Sequence, residues 1–440
     1  MSSHHRDTND PTSHSRTNDP TSHSRTHDPG PHDPGTTVPL TDRQWTASMT
    51  DPELPALPDL LTDQVPGPLA AIAAASGGTV TAVAVSQVTW WPGRSATVSW
   101  DAIVEGGPLA GRATYVGTTL EAPEGAAVVG ADDARVAVWR VPEDPFLPSL
   151  SAVLQPEVAA SLIADLGGQI TDPATRLRAY RPTRRAVIEV TGSGHRIYLK
   201  LVKPRRLKAL HQRHVSLDGI LPVPEPLGLN EELGLLAMRS MSGATLRDVL
   251  EDPGGHLPHP DVIAGIPGTL PHLDRAATVH SAIDAVPRMA ELLRHLLPME
   301  RERIDWLEAS IGTDDVMERV PAHGDYHEAQ LLVEDGMVSG LLDVDTLGVA
   351  RPGDDPGTML GHLAVWHTIS SQPDRVAAYA TALQQRWETT LDPRDLRLRA
   401  AARILGLAAG PFRVQQDGWP VETSRRLTLA QHWVESAQGV

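Results

Sequence analysis

The segment of residues 322–363 constrains this chain more than any other, because it combines a predicted hairpin with several polar side chains. Residues 330–334 and 337–344 are mostly apolar, and Asp335-Gly336 lies between them. An Asp-Gly pair between two such stretches is typical of a tight turn joining antiparallel strands. The sequence therefore predicts a β-hairpin with its turn at Asp335-Gly336.

Polar oxygens converge at the open end of this hairpin. Gln330 begins its first strand, Asp343 lies at the end of the second, and Asp325 lies on the loop just before it. Carboxylate and amide oxygens are hard ligands that suit Mg²⁺, which takes few protein ligands and is completed by waters and phosphates. A carboxylate beside a metal-bound phosphate can orient an alcohol and accept its proton.

The pattern H-G-D-x-H-x-x-Q at 323–330, followed by L-L-D-x-D at 341–345, resembles the catalytic segment of the aminoglycoside-phosphotransferase-type small-molecule kinases, which are relatives of the protein kinases. The resemblance implies that Asp325 is the catalytic base, that His323 holds its loop, and that Gln330 and Asp343 bind Mg²⁺. Gln330 stands where the family usually has Asn. The same Gln is seen in the maltokinase and glucosamine-kinase-like branch, whose members carry an N-terminal cap.

The resemblance also implies a nucleotide site for ATP. Lys200 lies inside the apolar strand 196–202, where an unpaired charge is costly, and the family uses such a Lys on the α- and β-phosphates. Met238 falls near the expected hinge. The turn 181–185 lacks a glycine-rich pattern, so Arg184 or Arg185 would contact phosphate, unless this is simply a solvated basic turn. The usual Glu partner of the lysine is absent from 205–217.

Four further side chains are candidates for contacting the acceptor, each with a structural alternative. They are Glu328, Asp345, Asp354 and Trp366. The structural alternatives are an exposed loop carboxylate for Glu328, a hydrogen-bonding support of the metal-binding loop for Asp345, and a core residue for Trp366. Asp355 precedes Pro356 and is predicted to cap a helix.

The order of elements predicts an α+β, two-lobed, protein-kinase-like fold behind a small β-rich cap. The cap (38–168) has strands at 79–87, 95–103, 112–118 and 135–140, a closing helix at 148–166, and four core tryptophans, Trp90, Trp91, Trp100 and Trp139. The N-lobe (169–241) has strands at 175–180, 185–191, 196–202, 221–229 and 234–238. The C-lobe (242–440) has helices at 270–286, 288–311, 376–388, 396–408 and 424–436.

Residues 1–37 form a polar tail in which TNDPTSHSR occurs twice, at 8–16 and 17–25. Such a Pro-containing repeat cannot bury enough apolar area to fold, and we expect it to be disordered. Its six histidines could alternatively bind a metal loosely.

Composition narrows the function further. The net charge of −17 argues against a general nucleic-acid binder, and the absence of cysteine excludes disulfide scaffolds and thiolate metal sites. No signal peptide or membrane-spanning stretch is evident, so we expect a soluble cytoplasmic protein with no membrane partner. The resemblance implies an ATP- and Mg²⁺-dependent kinase acting on a hydroxyl of a sugar, aminosugar or aminoglycoside. The alternative is a catalytically degraded, nucleotide-binding regulatory protein.

Overall fold

The first sheet follows three short helices. The structure is a computed structural model that describes residues 40–272, 277–313 and 318–440. The predicted disordered tail lies outside the described residues. The elements up to the end of this sheet are α1 Asp42–Ala47, α2 Leu57–Leu60, α3 Gly67–Ala75, β1 Thr79–Trp91, β2 Ser95–Glu105, β3 Gly111–Thr118, β4 Val128–Val129, a 3-10 turn Asp132–Ala134, and β5 Val136–Arg140. The strands are antiparallel in the order β1-β2-β3-β5-β4, so all four predicted strands are confirmed.

The second sheet carries the strand with the predicted phosphate lysine. Its elements are α4 Leu150–Val153, α5 Pro156–Asp165, β6 Ala174–Arg181, β7 Arg185–Gly192, β8 His195–Val202, α6 Pro204–Ser216, β9 Pro226–Asn230 and β10 Leu235–Arg239. The order β6-β7-β8-β10-β9 puts β8, which contains Lys200, at the centre of the sheet. A central position buries this strand on both edges and fixes its register.

The predicted closing helix of the first sheet is wrong in both continuity and packing. It is broken into α4 and α5, since Pro156 cannot continue a helix from the preceding turn. Ala159 and Ile163 of α5 pack against Ile188 and Leu199 of the second sheet. The segment therefore supports the lobe that follows it.

Helices dominate the remainder of the chain. The elements are β11 Ala244–Thr245, α7 Leu246–Glu251, α8 Pro260–Gly265, α9 Val286–Leu296, α10 Arg301–Ile311, β12 Val320–Ala322, β13 Leu331–Glu334, β14 Met337–Leu341, β15 Gly348–Ala350, α11 Asp354–His367, α12 Pro373–Trp387, α13 Pro393–Ala408, α14 Gly410–Arg413 and α15 Trp419–Gln438. Short 3-10 turns lie at Ile266–Thr269, Ile283–Ala285, Pro298–Glu300, Glu328–Gln330 and Val344–Thr346.

Two predicted helices differ from the structure. The helix predicted at 288–311 is divided into α9 and α10, with Pro298 at the break. The helix predicted at 270–286 is wrong in its described part, where Thr278 forms a parallel bridge with Val349 and only a 3-10 turn follows. Residues 273–276 of that prediction lie outside the described residues.

Three tryptophans of the first sheet share one core with the C-terminal helices, whereas Trp139 lies in a separate cluster with Val116 and Ala137. Trp90 and Trp100 are almost fully buried, and their hydrophobic cluster includes Leu293 of α9 and Trp419 of α15. Arg288 lies over the ring of half-buried Trp91, 4.5 Å from its centroid. Residues 41–440 accordingly form one compact unit, and the domain boundaries at 168 and 241 stay a prediction. In the described ranges, no helix combines the length and apolar character needed to span a bilayer.

Candidate active site

The predicted hairpin is present. Strands β13 and β14 pair antiparallel around Asp335-Gly336, whose φ angles of 50° and 76° suit a turn that needs left-handed backbone. Asp343 follows two residues after β14 and is itself left-handed, with φ 52° and ψ 49°. Aspartate adopts this region more readily than most side chains, so the chain turns at Asp343 without a glycine.

Leu342 joins the hairpin to the loop of the predicted base. Its N–H donates to the carbonyl of Gln330 at 2.7 Å, and its own carbonyl lies 2.9 Å from Nε2 of fully buried His323. The residue before Asp343 is thus tied to both ends of the segment 323–330. This junction ties the loop that carries Asp325 to the hairpin end where Gln330 and Asp343 lie, and the ring of His323 is part of it.

Asp355 anchors the same loop from α11, which the sequence analysis did not foresee. One carboxylate oxygen accepts from the N–H of His323 at 2.7 Å and the other from the N–H of Gly324 at 2.9 Å. Burial raises the pKa of Asp355, although His323 and the two backbone N–H groups act in the opposite direction. The predicted role as a helix cap is wrong, since its side chain is used on the loop and α11 begins at Asp354.

Asp325 lies beside a histidine pair. Its carboxylate is 3.8 Å from Nε2 of His327, whose ring stacks on His362 with centroids 4.1 Å apart and planes within 3°. The side-chain amide of Gln330 is 3.2 Å from the same Nε2. His327 therefore stands between the predicted base and a predicted metal ligand.

Lys200 finds its acidic partners on the hairpin side of the cleft. Its Nζ is 2.9 Å from Oδ1 of Asp343 and also contacts Oδ1 of Asp345. Arg185 reaches the same two carboxylates at 3.1 Å and 2.8 Å. Burial alone would raise the pKa of Asp343, but Lys200 and Arg185 hold it well below its usual range. Two cations and two carboxylates thus replace the Lys–Glu pair that the sequence lacks.

Helix α6 contributes to this site by a different contact. It contains no Glu, and its Arg213 donates to the carbonyl of Leu347 at 2.8 Å, next to the loop that carries Asp345. His214 is buried with Nδ1 3.0 Å from the carbonyl of Pro224, and burial lowers its pKa. The helix is therefore attached to the loop of Asp345 by an arginine side chain bonded to a backbone carbonyl, and not by an acidic side chain.

The two arginines predicted to contact phosphate are separated by the turn that carries them. Arg185 points to the acids, whereas Arg184 lines a cavity of about 560 Å³ together with Trp91 and Arg413. Thr183 has a φ of 67°, and its N–H donates to Asp144 at 2.9 Å, so the turn is fixed by a side chain from before the second sheet. A fixed turn here takes the place of a glycine-rich loop.

Met238 lies on β10, but its side chain is buried. It packs in an apolar cluster with Val202, Leu207 and Leu210 under α6. The side chain faces this cluster, which leaves the backbone of β10 as the part of the predicted hinge that could meet a nucleotide.

Asp345, one of the four predicted acceptor contacts, is bonded to Lys200 and Arg185, and the other three are placed differently from one another. Glu328 is fully buried and bonded to Arg247 at 2.9 Å, so the alternative of an exposed carboxylate is wrong. Asp354 is buried between Ser281 and Arg399, at 2.6 Å and 2.7 Å, which places it in the helical core. Trp366 is half-buried beneath Arg247, 4.4 Å from its ring centroid.

Comparison with known proteins is consistent with this architecture. The sequence model of the phosphotransferase enzyme family matches residues 203–400. Residues 203–400, just under half of the chain, therefore carry a domain of the phosphotransferase type, and this match supports a small-molecule kinase. No curated protein sequence matches the chain.

Several solved structures resemble the chain at low identity. A thermostable mutant of aminoglycoside phosphotransferase APH(4)-Ia, in a ternary complex with ADP and hygromycin B, is 15% identical, with 63% of this chain and 97% of that chain covered and a TM-score of 0.43. A putative aminoglycoside phosphotransferase from Ralstonia eutropha is 16% identical (64% and 98% covered, TM-score 0.43). A macrolide 2'-phosphotransferase from Brachybacterium faecium is 17% identical (62% and 98% covered, TM-score 0.38).

Proposed function

We propose that this protein transfers the γ-phosphoryl group of ATP, in the presence of Mg²⁺, to a hydroxyl group of a sugar, aminosugar or aminoglycoside. The observation that carries the proposal is the set of contacts that Lys200 and Arg185 make with Asp343, beside the hairpin end that Leu342 ties to Gln330 and to the loop of Asp325. This arrangement supplies a proton acceptor, oxygen ligands and phosphate-binding cations within one cleft.

Lys200 and Arg185 are the proposed contacts for the phosphates of ATP. Both are cations held against Asp343 and Asp345, and a phosphate chain offers them stronger acceptors than carboxylates already shared between two bases. Nucleotide binding would exchange these carboxylate contacts for phosphate contacts. Arg185 supplies a planar fork that matches phosphate oxygens, and Lys200 supplies a compact charge.

The oxygens of Gln330 and Asp343 fit a magnesium ion. They are one neutral and one anionic hard ligand, and Asp343 already faces two positive charges. Its pKa, held low by those charges, keeps the carboxylate ionised at neutral pH. Bound Mg²⁺ would neutralise charge on the phosphates during transfer.

Asp325 is the proposed general base. Its side chain is one-third exposed at the edge of the cleft, so a substrate hydroxyl could approach it. Asp355 and His323 fix the backbone on either side of Gly324, and this orients the carboxylate without contacting it. Asp325 would accept the proton of the hydroxyl as its oxygen attacks the γ-phosphorus.

A screen of acceptors tests the proposal. The full chain is incubated with ATP and Mg²⁺ and with maltose, glucosamine, other sugars or aminoglycosides, and phosphorylated products are identified by mass spectrometry. The proposal expects one chemical class to yield a phosphorylated product and ADP in equal amounts. Nucleotide binding without transfer to any acceptor across a broad panel would favour the regulatory alternative.

A further inference from the structure

The cavity of about 560 Å³ beside Arg184 lies where three separate parts of the chain meet. Strands β1 and β2 form one wall, the end of β6 and the turn 181–185 form the second, and helices α9 and α13–α15 form the third. The described residues that line it do not include the proposed base, the proposed magnesium ligands or Lys200. Its volume falls within the range of about 300–1,000 Å³ that is usual for small-molecule sites.

Basic side chains line this cavity without acidic ones. Its arginines are Arg181, Arg184, Arg413 and Arg426, and none of the described residues in its walls is Asp or Glu. Arg426 is paired with Glu422 at 3.2 Å. The side chains of the other three arginines have no hydrogen-bond or ion-pair partner in the part of the chain that the structure describes. In a chain of net charge −17, this concentration of positive charge indicates a site for an anion.

The arginines of the cavity also repel one another. Partial burial lowers the pKa of Arg184, and the charge of Arg181 lowers it further. Burial and Arg181 act in the same direction on Arg413. Because a guanidinium group keeps its charge in proteins, a bound anion would relieve this repulsion. Guanidinium groups match the paired oxygens of phosphate, so these side chains are best suited to a phosphate group.

The strand wall of the cavity carries hydroxyl and amide groups on one face of the sheet. Side chains of directly paired residues in antiparallel strands lie on the same face, and the pairs here are Gln87–Ser99, Thr89–Thr97 and Trp91–Ser95. All six residues line the cavity, and five of them are polar. The alternate pair Val88–Val98 is buried in the core on the other face. The polar face therefore offers hydrogen-bond donors and acceptors to a ligand that carries several hydroxyl groups.

The turn 181–185 keeps this cavity distinct from the proposed nucleotide site. Arg184 lines the cavity, whereas the next residue, Arg185, contacts Asp343 and Asp345. The two arginines are neighbours in sequence but belong to different sites.

We propose that the cavity binds a phosphorylated sugar, with the phosphate on Arg181, Arg184 and Arg413 and the hydroxyl groups on the polar face of β1 and β2. This binding does not depend on the proposed catalytic roles, so either proposal can fail without the other. The competing interpretation is a solvated group of arginines that attracts simple anions weakly. In that case the sugar would add nothing to the affinity for phosphate.

Calorimetry with the full chain tests the site. Glucose 6-phosphate, fructose 6-phosphate and ribose 5-phosphate are titrated into wild type, Arg413→Gln and Arg425→Gln. Arg425 is the matched control, since it is a 75% exposed arginine of α15 outside the cavity. We expect a sugar phosphate to bind wild type and Arg425→Gln, and to bind Arg413→Gln about 10- to 100-fold more weakly, as for the loss of a charge-assisted hydrogen bond. Equal affinity in all three proteins, or no binding of any of the three compounds at millimolar concentration, would overturn the proposal.

Thr89→Val tests the contribution of the sugar. Valine keeps the branched shape of threonine and suits a strand, and the hydroxyl of Thr89 has no hydrogen-bond partner to lose among the described residues. We expect this variant to bind the sugar phosphate about 2- to 10-fold more weakly than wild type and to bind inorganic phosphate equally. Unchanged affinity for the sugar phosphate would overturn the placement of its hydroxyl groups.

Lys200→Met separates the cavity from the nucleotide site. We expect this variant to bind the sugar phosphate as wild type does, because Lys200 does not line the cavity. Thermal unfolding followed by circular dichroism shows whether each variant is folded, and saturating sugar phosphate should raise its midpoint in every protein that binds. Loss of binding in Lys200→Met together with full binding in Arg413→Gln would assign the ligand to the nucleotide site and overturn the proposal.

Discussion

Replacing Asp355 should weaken both the fold and the catalytic loop, because this carboxylate is the shared acceptor of two backbone N–H groups. In Asp355→Ala the N–H groups of His323 and Gly324 lose acceptors at 2.7 Å and 2.9 Å. Each buried donor left without a partner costs about 1–3 kcal/mol, or about 2–6 kcal/mol for both. Removing a charge that is itself costly to bury offsets part of this loss. We expect the free energy of unfolding to fall by about 2–4 kcal/mol.

The neutral isostere separates charge from hydrogen bonding. Asp355→Asn keeps one acceptor oxygen and removes the buried charge, so it should lose less, about 1–2 kcal/mol. Because burial raises the pKa of Asp355, its protonated form is favoured in the folded state, and its contribution to stability decreases as pH rises through that pKa. The difference in stability between wild type and Asp355→Asn should therefore be larger at acidic than at neutral pH.

Urea unfolding and steady-state kinetics together provide the assay. Asp392→Ala is the control. The side chain of Asp392 caps the N-terminus of α13 by accepting from the N–H of Asp395 at 2.7 Å, far along the chain from the catalytic loop. Its loss should lower the free energy of unfolding by about 0.5–2 kcal/mol. Turnover should fall about 100-fold in Asp355→Ala, as expected for a displaced catalytic group, but not in the control. An unfolding free energy within about 0.5 kcal/mol of wild type would refute the reasoning.

Three further substitutions test other parts of the site. Lys200→Met should weaken ATP binding about 10- to 100-fold, since it removes a charge-assisted hydrogen bond to phosphate; unchanged affinity by calorimetry would exclude the contact. Glu328→Ala should lower the free energy of unfolding by about 2–3 kcal/mol, less than for a fully buried pair because Arg247 is 34% exposed; urea unfolding measures this, and a neutral effect would contradict it. The depressed pKa of Asp343 gives stability that is present above about pH 4 and is lost as pH falls through the folded-state pKa. Asp343→Asn should therefore show a shallower loss of stability as the pH is lowered from neutral into the acid range, and an equal slope in both proteins would argue against the ion pairs.

Local patterns explain what the sequence predicted correctly. The hairpin was readable because Asp335-Gly336 requires left-handed backbone between two apolar stretches. The strand of Lys200 was predictable because apolar residues flank this lysine on both sides. These signals lie within a few residues of one another.

Long-range contacts explain what the sequence did not reveal. Lys200 meets Asp343 across 143 positions, and Asp355 reaches back 32 positions to His323. Helix α5 packs on the second sheet. The apolar residues of the helix do not by themselves specify which of the two sheets they contact. Pairings of this kind have no short-range signature.

Phosphate transfer by Asp325→Asn tests the central claim most directly. Wild type, Asp325→Asn and Asp335→Asn are compared for product formation from ATP, Mg²⁺ and the acceptor found by the screen, and for nucleotide affinity by calorimetry. Asp335 is the matched control, since it lies in the hairpin turn, where Asn is equally suited to left-handed backbone. We predict that turnover falls about 10²- to 10⁴-fold in Asp325→Asn alone, with ATP affinity retained in all three proteins. Turnover of Asp325→Asn close to that of wild type would contradict the assignment of Asp325 as the base.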